Sequence, residues 1–193
     1  DPKLHREAVL DLVCKTFQNY FSFMQTCREG YFLHSHLDWA ASRIGFVGDT
    51  LVPQFGVWDY QTRGGRARLR TGGIGTVATH ADYRKKGYMD QTARASIEAM
   101  RGAGYDLSTL FGVRNFYHRF GYTRAWAGHE MAVNISELPE EKPAAKLSKI
   151  AYGPRPELDD LYNAFHARDT GTAVRPTFQR ARHANALAYG WRD

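Results

Sequence analysis

Residues 74–89 read I-G-T-V-A-T-H-A-D-Y-R-K-K-G-Y-M, and this stretch constrains the fold more than any other. A β-branched run, Ile74 to Thr79, stops at His80-Ala81-Asp82. A basic turn with one glycine follows, Arg84-Lys85-Lys86-Gly87-Tyr88-Met89. Apolar residues then recur at helical spacing through Met89, Thr92, Ala93, Ile97 and Met100, which predicts a helix from Gly87 to Gly102. A strand that feeds a basic turn opening a helix is suited to holding a phosphate. Helix N-termini expose unpaired N–H groups and carry about +0.5 of an elementary charge. Gly87 lets the backbone approach a ligand without a Cβ in the way, and the flanking cations add Coulomb attraction. The stretch therefore predicts a ligand that carries a pyrophosphate.

The rest of the chain supplies a frame for that element. Leu4 to Tyr20 places Leu4, Ala8, Val9, Leu12, Val13, Thr16 and Phe17 on one stripe, which predicts a helix. Arg43 to Tyr60 reads as two strands around a turn at Gly48-Asp49-Thr50, with Pro53 making the second irregular. Gln61 to Ala67 reads as a turn. Arg68 to Thr79 is the long central strand; its Gly72, Gly73 and Gly75 mark a bulge or a close backbone approach. Tyr105 to Leu110 is a further strand, Asn115 to Arg119 a short helix, and Tyr122 to Val133 a final strand. Ile135 to Ala145, rich in Pro and Glu, reads as a linker, and Leu158 to Arg168 opens another helix.

Composition narrows the class of partner. Lys and Arg total 26 against 20 acidic residues, a net charge of +6 that suits an anionic ligand. No apolar run approaches the ~18 residues of a membrane span, no signal peptide is visible, and no membrane partner is expected. Two cysteines, Cys14 and Cys27, are too few for a disulfide framework, so a cytoplasmic setting is expected. The Arg63-Gly64-Gly65-Arg66-Ala67-Arg68-Leu69-Arg70 cluster is either a solvated hairpin tip or a contact for phosphate or nucleic acid. No aromatic platform for stacking bases accompanies it, so nucleic acid is not the expected partner.

R-K-K-G-Y-M resembles the R/Q-x-x-G-x-G/A loop of the GNAT superfamily of acyl-CoA-dependent N-acetyltransferases, with Met89 where Gly or Ala is usual. A second segment, Arg114-Asn115-Phe116-Tyr117-His118-Arg119-Phe120-Gly121-Tyr122, looks like the superfamily's late helix and the strand after it. Within the superfamily the V-A-T-H…R-K-K-G spacing, the Y-x-R-F-G-Y element and L-Y-N-A-F-H-A-R…G-T-A-V-R-P are similar to the Eis (enhanced intracellular survival) type. That type has a first acetyltransferase lobe followed by a second and by a sterol-carrier-like domain.

The resemblance implies an α/β (α+β) GNAT fold, with a mixed, largely antiparallel, splayed central sheet and helices on both faces. It implies an acetyltransferase domain over residues 1–136, a linker over 137–149 and the start of a second lobe over 150–193. Beginning at Asp1 without a Met, the chain reads as a piece of a longer protein. Acetyl-CoA is the implied co-substrate, a small-molecule or peptide amine the acceptor, and a homo-oligomer, most typically a hexamer, the implied assembly.

On the same resemblance Val77, Ala78 and Thr79 lie along the pantetheine arm, with the Val77 N–H near the thioester oxygen. Arg84, Lys85, Lys86, Gly87, Tyr88 and Met89 surround the diphosphate. Tyr117 protonates the departing thiolate, for which a phenol beside a thiol is a competent donor. Phe17 aligns with an aromatic of the amine pocket, or packs in the core. His80, which follows the central strand, could face the acetyl group, or be a surface or structural histidine.

The base that deprotonates the amine is not readable from the sequence. A non-catalytic acyl-CoA-binding or regulatory module would keep the same phosphate loop without transferring the acyl group. His34-Ser35-His36 lacks a completing ligand cluster, so no metal is expected. Gly72-Gly73-Ile74-Gly75 lies inside a strand and not at its exit into a helix, so the dinucleotide fingerprint fails.

Overall fold

Leu51 to Trp58 are buried without a break, because both faces of the strand they form are covered. The computed structural model describes residues 1–17, 36–125, 132–137, 148–150, 156–176 and 188–190. In it this run lies within β2 (Thr50–Gly64). Strand β2 pairs antiparallel with β1 (Arg43–Val47) and with β3 (Ala67–Thr79). Strand β4 (Leu107–Leu110) joins β3 in parallel, completing the order β1-β2-β3-β4. Two further strands, β5 (Ser148–Ile150) and β7 (Ala188–Gly190), pair with each other, while β6 (Ala173–Val174) pairs with β2.

The chain divides into two compact units. Residues Asp1–Phe111 with Gly153–Ala184 form the first, and Gly112–Tyr152 with Asn185–Asp193 the second. The first holds the five-stranded sheet and the second holds the β5–β7 pair. The outer edge of β2 is covered in three pieces. Strand β1 takes its beginning, residues 36–38 its middle through Asp38 N–H to Val57 O (2.8 Å) and Asp59 N–H to His36 O (2.9 Å), and β6 its end. Few backbone groups of this long strand are thus left to recruit another chain.

Helix α1 (Pro2–Phe17) packs Val9, Leu10, Leu12 and Val13 with Leu37, Leu51, Trp58 and Ala78. The buried stripe is shorter than the sequence pattern implies, since Leu4 and Ala8 are exposed. Helix α2 (Tyr88–Gly102) buries Thr92, Ala93, Ser96 and Met100. It lies on the opposite face of the sheet, where a Cβ at Gly72 would stand 2.5 Å from the Met100 sulfur. Gly75 faces the other way; a Cβ there would stand 2.8 Å from Cζ3 of Trp58. Two of the strand glycines are therefore seats for large side chains, one on each face.

Several expectations need correction. Strand β2 continues through Gln61 to Gly64, and the turn is confined to Gly65-Arg66, with Gly65 at φ 59°. Pro53 lies inside β2. Its irregularity is a register shift against β1, where Gly45 passes so close that a Cβ would meet Pro53 Cγ at 2.9 Å. The arginine cluster is not a uniformly solvated tip. Arg63 is buried, donating to Ala173 O (2.6 Å) and Asn163 Oδ1 (2.8 Å). It thereby ties β2 to β6 and to α3 (Pro156–Phe165).

Arg70 lies against Asp59 (2.7 Å) with its guanidinium 4.1 Å from the centre of the Tyr105 ring, and the Asp59 hydrogen bond raises its pKa above the ordinary value. Burial, then donation to Asp38 (2.6 Å), pushes the Tyr105 phenol up as well. Asn115–Arg119 forms no α-helix but a turn and a three-residue 3₁₀ helix, His118–Phe120. Residues 122–125 and 132–133 are not a strand; 126–131 lie outside the described residues, as do 138–145 of the linker and 18–20 at the end of the first expected helix.

Candidate active site

The parallel pairing of β3 with β4 stops at Ile74 and Leu110. Gly75 to Thr79 run on with β2 on one side and, among the described residues, no strand on the other. In the same place β3 carries a bulge. Gln54 pairs with Ala78 and Gly56 with Gly75, so Thr76 and Val77 together stand opposite Phe55. Thr76 takes φ 47°, rare for a β-branched residue and a mark of imposed geometry.

Buried Gln54 supports the bulge. Oriented with its oxygen toward Gly56 N–H (3.3 Å) and Thr76 Oγ1 (3.1 Å), it turns its nitrogen to the Thr76 carbonyl. A Cβ on Gly56 would lie 2.7 Å from Thr76 Oγ1, so only glycine fits across from the bulge. Sequence reading missed Gln54. Its signal was a lone amide in the apolar run V-P-Q-F-G-V-W.

The strand leaves the sheet at His80, whose N–H donates to Val52 O (2.8 Å). A single 3₁₀ turn, Ala81–Tyr83, reverses the chain, and Arg84 Nε reaches back to Thr79 O (3.3 Å). Lys85 then takes φ 61° and Gly87 φ 81°, both left-handed, and α2 begins at Tyr88. No side chain caps α2, so its first-turn amides are free to meet a ligand. Arg84, Lys85 and Lys86 are exposed around them, while Tyr88 and Met89 are half-buried. Lys86 Nζ also sits 5.1 Å from the centre of the Tyr83 ring. The one carboxylate of the first turn, Asp90, is engaged by Arg94 at 2.9 Å.

No atom lies within 4 Å of a Cβ built on Gly87, so its need for glycine is conformational. Replacing it with a β-branched residue costs more than the ~1–2 kcal/mol of an ordinary left-handed residue. Gly87→Val is accordingly expected to weaken coenzyme A, the ligand the sequence resemblance implies, at least tenfold in calorimetry and to lower the melting temperature by about 2–8 °C.

The first unit thus brings Val77, Ala78, Thr79, His80 and Arg84 through Met89 into one continuous segment. Ala78 turns its side chain into the α1 cluster, leaving its main chain for the edge. Phe17 ends α1 and packs against that same cluster. Tyr117 belongs to the second unit, where it precedes the 3₁₀ turn closed by Gly121 at φ 91°. Its ring meets Phe116 edge-on at 4.9 Å and Tyr122 at 5.9 Å. Burial first, and Tyr122 second, push its phenol up to about 12. Among the described residues no group of three His, Cys, Asp or Glu could hold a metal ion, and His34 and Ser35 lie outside them. No described helix is long and apolar enough to cross a membrane.

A strand edge with no described neighbour, lying beside a bulge and prolonged into an uncapped helix start ringed by cations, has the form that suits a long ligand with an anionic middle. The chain belongs to the GNAT acetyltransferase family: residues 4–125 match the acetyltransferase (GNAT) domain. Among solved structures it is similar to a probable N-acyltransferase from Enterococcus faecalis V583, at 20% identity and TM-score 0.69 over 92% of this chain and 45% of that one. A GCN5-related N-acetyltransferase from Anabaena variabilis is similar at 15% identity and TM-score 0.66 over 89% and 43%. The chain thus spans less than half the length of these two proteins. AAC(6')-Iy, solved with the bisubstrate analog CoA-S-monomethyl-acetylneamine, aligns at 11% identity and TM-score 0.52 over 68% and 93%. These likenesses show the fold. No curated protein matches the sequence.

Proposed function

We propose that the chain is an acetyl-CoA-dependent N-acetyltransferase acting on a primary amine by direct attack in a ternary complex. The observation that carries this reading is the β3 edge from Gly75 to Thr79, without a neighbouring strand beyond Ile74 among the described residues and continuous with the uncapped N-terminus of α2. Main-chain groups at Val77 and Thr79 would pair with the pantetheine arm, and the Val77 N–H would donate to the thioester oxygen as charge develops there. Arg84, Lys85, Lys86 and the amides of Gly87, Tyr88 and Met89 would hold the diphosphate.

The neutral amine nitrogen would attack the carbonyl carbon, forming the N–C bond as the C–S bond breaks. The thiolate would take a proton from Tyr117, and the proton that the nitrogen sheds would pass to solvent, from which Tyr117 regains its own. A phenol held near 12 stays protonated at every ordinary assay pH, so the proton is present for transfer, while the same shift makes that transfer to a thiolate uphill and leaves the new N–C bond to drive it. Holding both reactants in line lowers the barrier by several kcal/mol, up to about 7–11 in ideal systems. The resemblance to the Eis type belongs to this proposal too. With it come a second lobe opening near residue 150, assembly into a homo-oligomer and a cytoplasmic setting. The test is thiol release from acetyl-CoA across an amine panel. Amine-dependent release supports transfer, whereas coenzyme A binding without it supports a non-catalytic module.

A further inference from the structure

His80 stands at the joint between the open strand edge and the phosphate loop, and its two ring nitrogens have unequal surroundings. Nδ1 is sealed from solvent and has no hydrogen-bond partner among the described residues. The Asp82 carboxylate lies 3.9 Å from it, too far to accept its proton. The ring is held edge-on to Tyr83, with centroids 5.4 Å apart, yet 35% of the side chain is exposed. Water therefore reaches the ring only away from Nδ1.

A proton on Nδ1 would have no acceptor within hydrogen-bond reach, whereas on Nε2 it meets water, and the pull of the Asp82 carboxylate on Nδ1 is screened because that side chain is 84% exposed. The neutral ring thus carries its proton on Nε2. A histidine that acts as a base through Nε2 needs the opposite tautomer, with Nδ1–H fixed by an acceptor.

We propose that His80 is a positioning residue: its Nε2–H donates to an oxygen of bound acetyl-CoA where the pantetheine arm turns toward the diphosphate, and the amine's proton is taken elsewhere. This rests on the reading given under Proposed function. Among the described residues the Asp82 carboxylate and the Tyr83 ring face it, and Arg84, further along the loop, turns its Nε to Thr79 O. None of them gives Nδ1 a hydrogen bond.

The experiment is coenzyme A calorimetry on the parent, His80→Ala and His80→Gln, with the pH profile of kcat/KM for an amine that the parent accepts. His80→Ala is expected to raise the Kd about 3- to 10-fold, the span of one hydrogen bond. His80→Gln, which restores a neutral N–H donor, is expected to recover most of that loss, and the acid limb of the profile keeps its position in both variants. Equal affinity in all three proteins, or a displaced acid limb in His80→Gln, overturns the inference while leaving the proposed function standing. A parent that does not bind coenzyme A overturns both.

Discussion

Tyr117→Phe is expected to slow amine-dependent thiol release by about 10²–10⁴-fold, the range that a positioned proton donor contributes. Coenzyme A should bind the variant within about threefold of the parent, since the phenylalanine ring keeps the edge contacts with Phe116, Phe120 and Tyr122. The pH dependence gives the expectation a sign. Burial and the neighbouring Tyr122 raise the phenol to about 12, above the ~10 of an exposed tyrosine. Neutral Tyr117 therefore persists through the assay range, and the parent should show no alkaline loss of rate from this group below about pH 11.

The same shift bears on stability. The contribution of this group is fully present below the unfolded value near 10 and fades as pH climbs through about 12. Tyr117→Phe should abolish that part of the alkaline destabilisation. Single-turnover and steady-state rates on both proteins check the first expectation, and melting curves between pH 9 and 12 the second. A variant that turns over at the parental rate would remove Tyr117 from the chemistry.

Trp58→Ala is expected to destabilise the first unit by about 3–5 kcal/mol, the usual cost of deleting a large aromatic from a packed core. The indole is 1% exposed, packs in the α1 cluster and lies over Gly75. For a chain of this length each kcal/mol moves the melting temperature by about 2–4 °C, so a fall of about 6–20 °C should appear by circular dichroism. Gly75 directly precedes the bulge at Thr76 and Val77, so the variant should also lose coenzyme A affinity below its new melting temperature. Trp58→Phe, which keeps an aromatic face toward Gly75, should lose less on both counts. Unchanged melting in Trp58→Ala would contradict the packing described for this face.

The strand, basic turn and helix were legible because local chemistry dictates them. A β-branched run, a glycine that alone accepts φ 81° without strain, and a 3.6-residue stripe each leave a mark on adjacent residues. The first helix and the two early strands could be read for the same reason. What escaped depends on contacts far along the chain. Arg63 looked like one more cation of a hairpin, yet it is consumed by Asn163 and Ala173, a hundred residues away. The strand glycines read only as a bulge or close approach, whereas Gly72 and Gly75 admit Met100 and Trp58.

Gln54 gave almost no signal, because an amide that supports a bulge resembles any polar residue in a strand. The segment after Asn115 was overread as a helix. Its spacing is aromatic, but Asn115 at φ 64° and Gly121 at φ 91° bracket it too tightly for more than a 3₁₀ turn.

Calorimetric titration of the folded parent chain with coenzyme A, at low and at physiological salt, bears most directly on the proposal that Arg84 to Met89 grip a diphosphate. Saturable binding that weakens as salt rises, and weakens further in Gly87→Val, is the predicted result. An absence of heat up to millimolar coenzyme A, in a sample whose melting curve shows it to be folded, would contradict it.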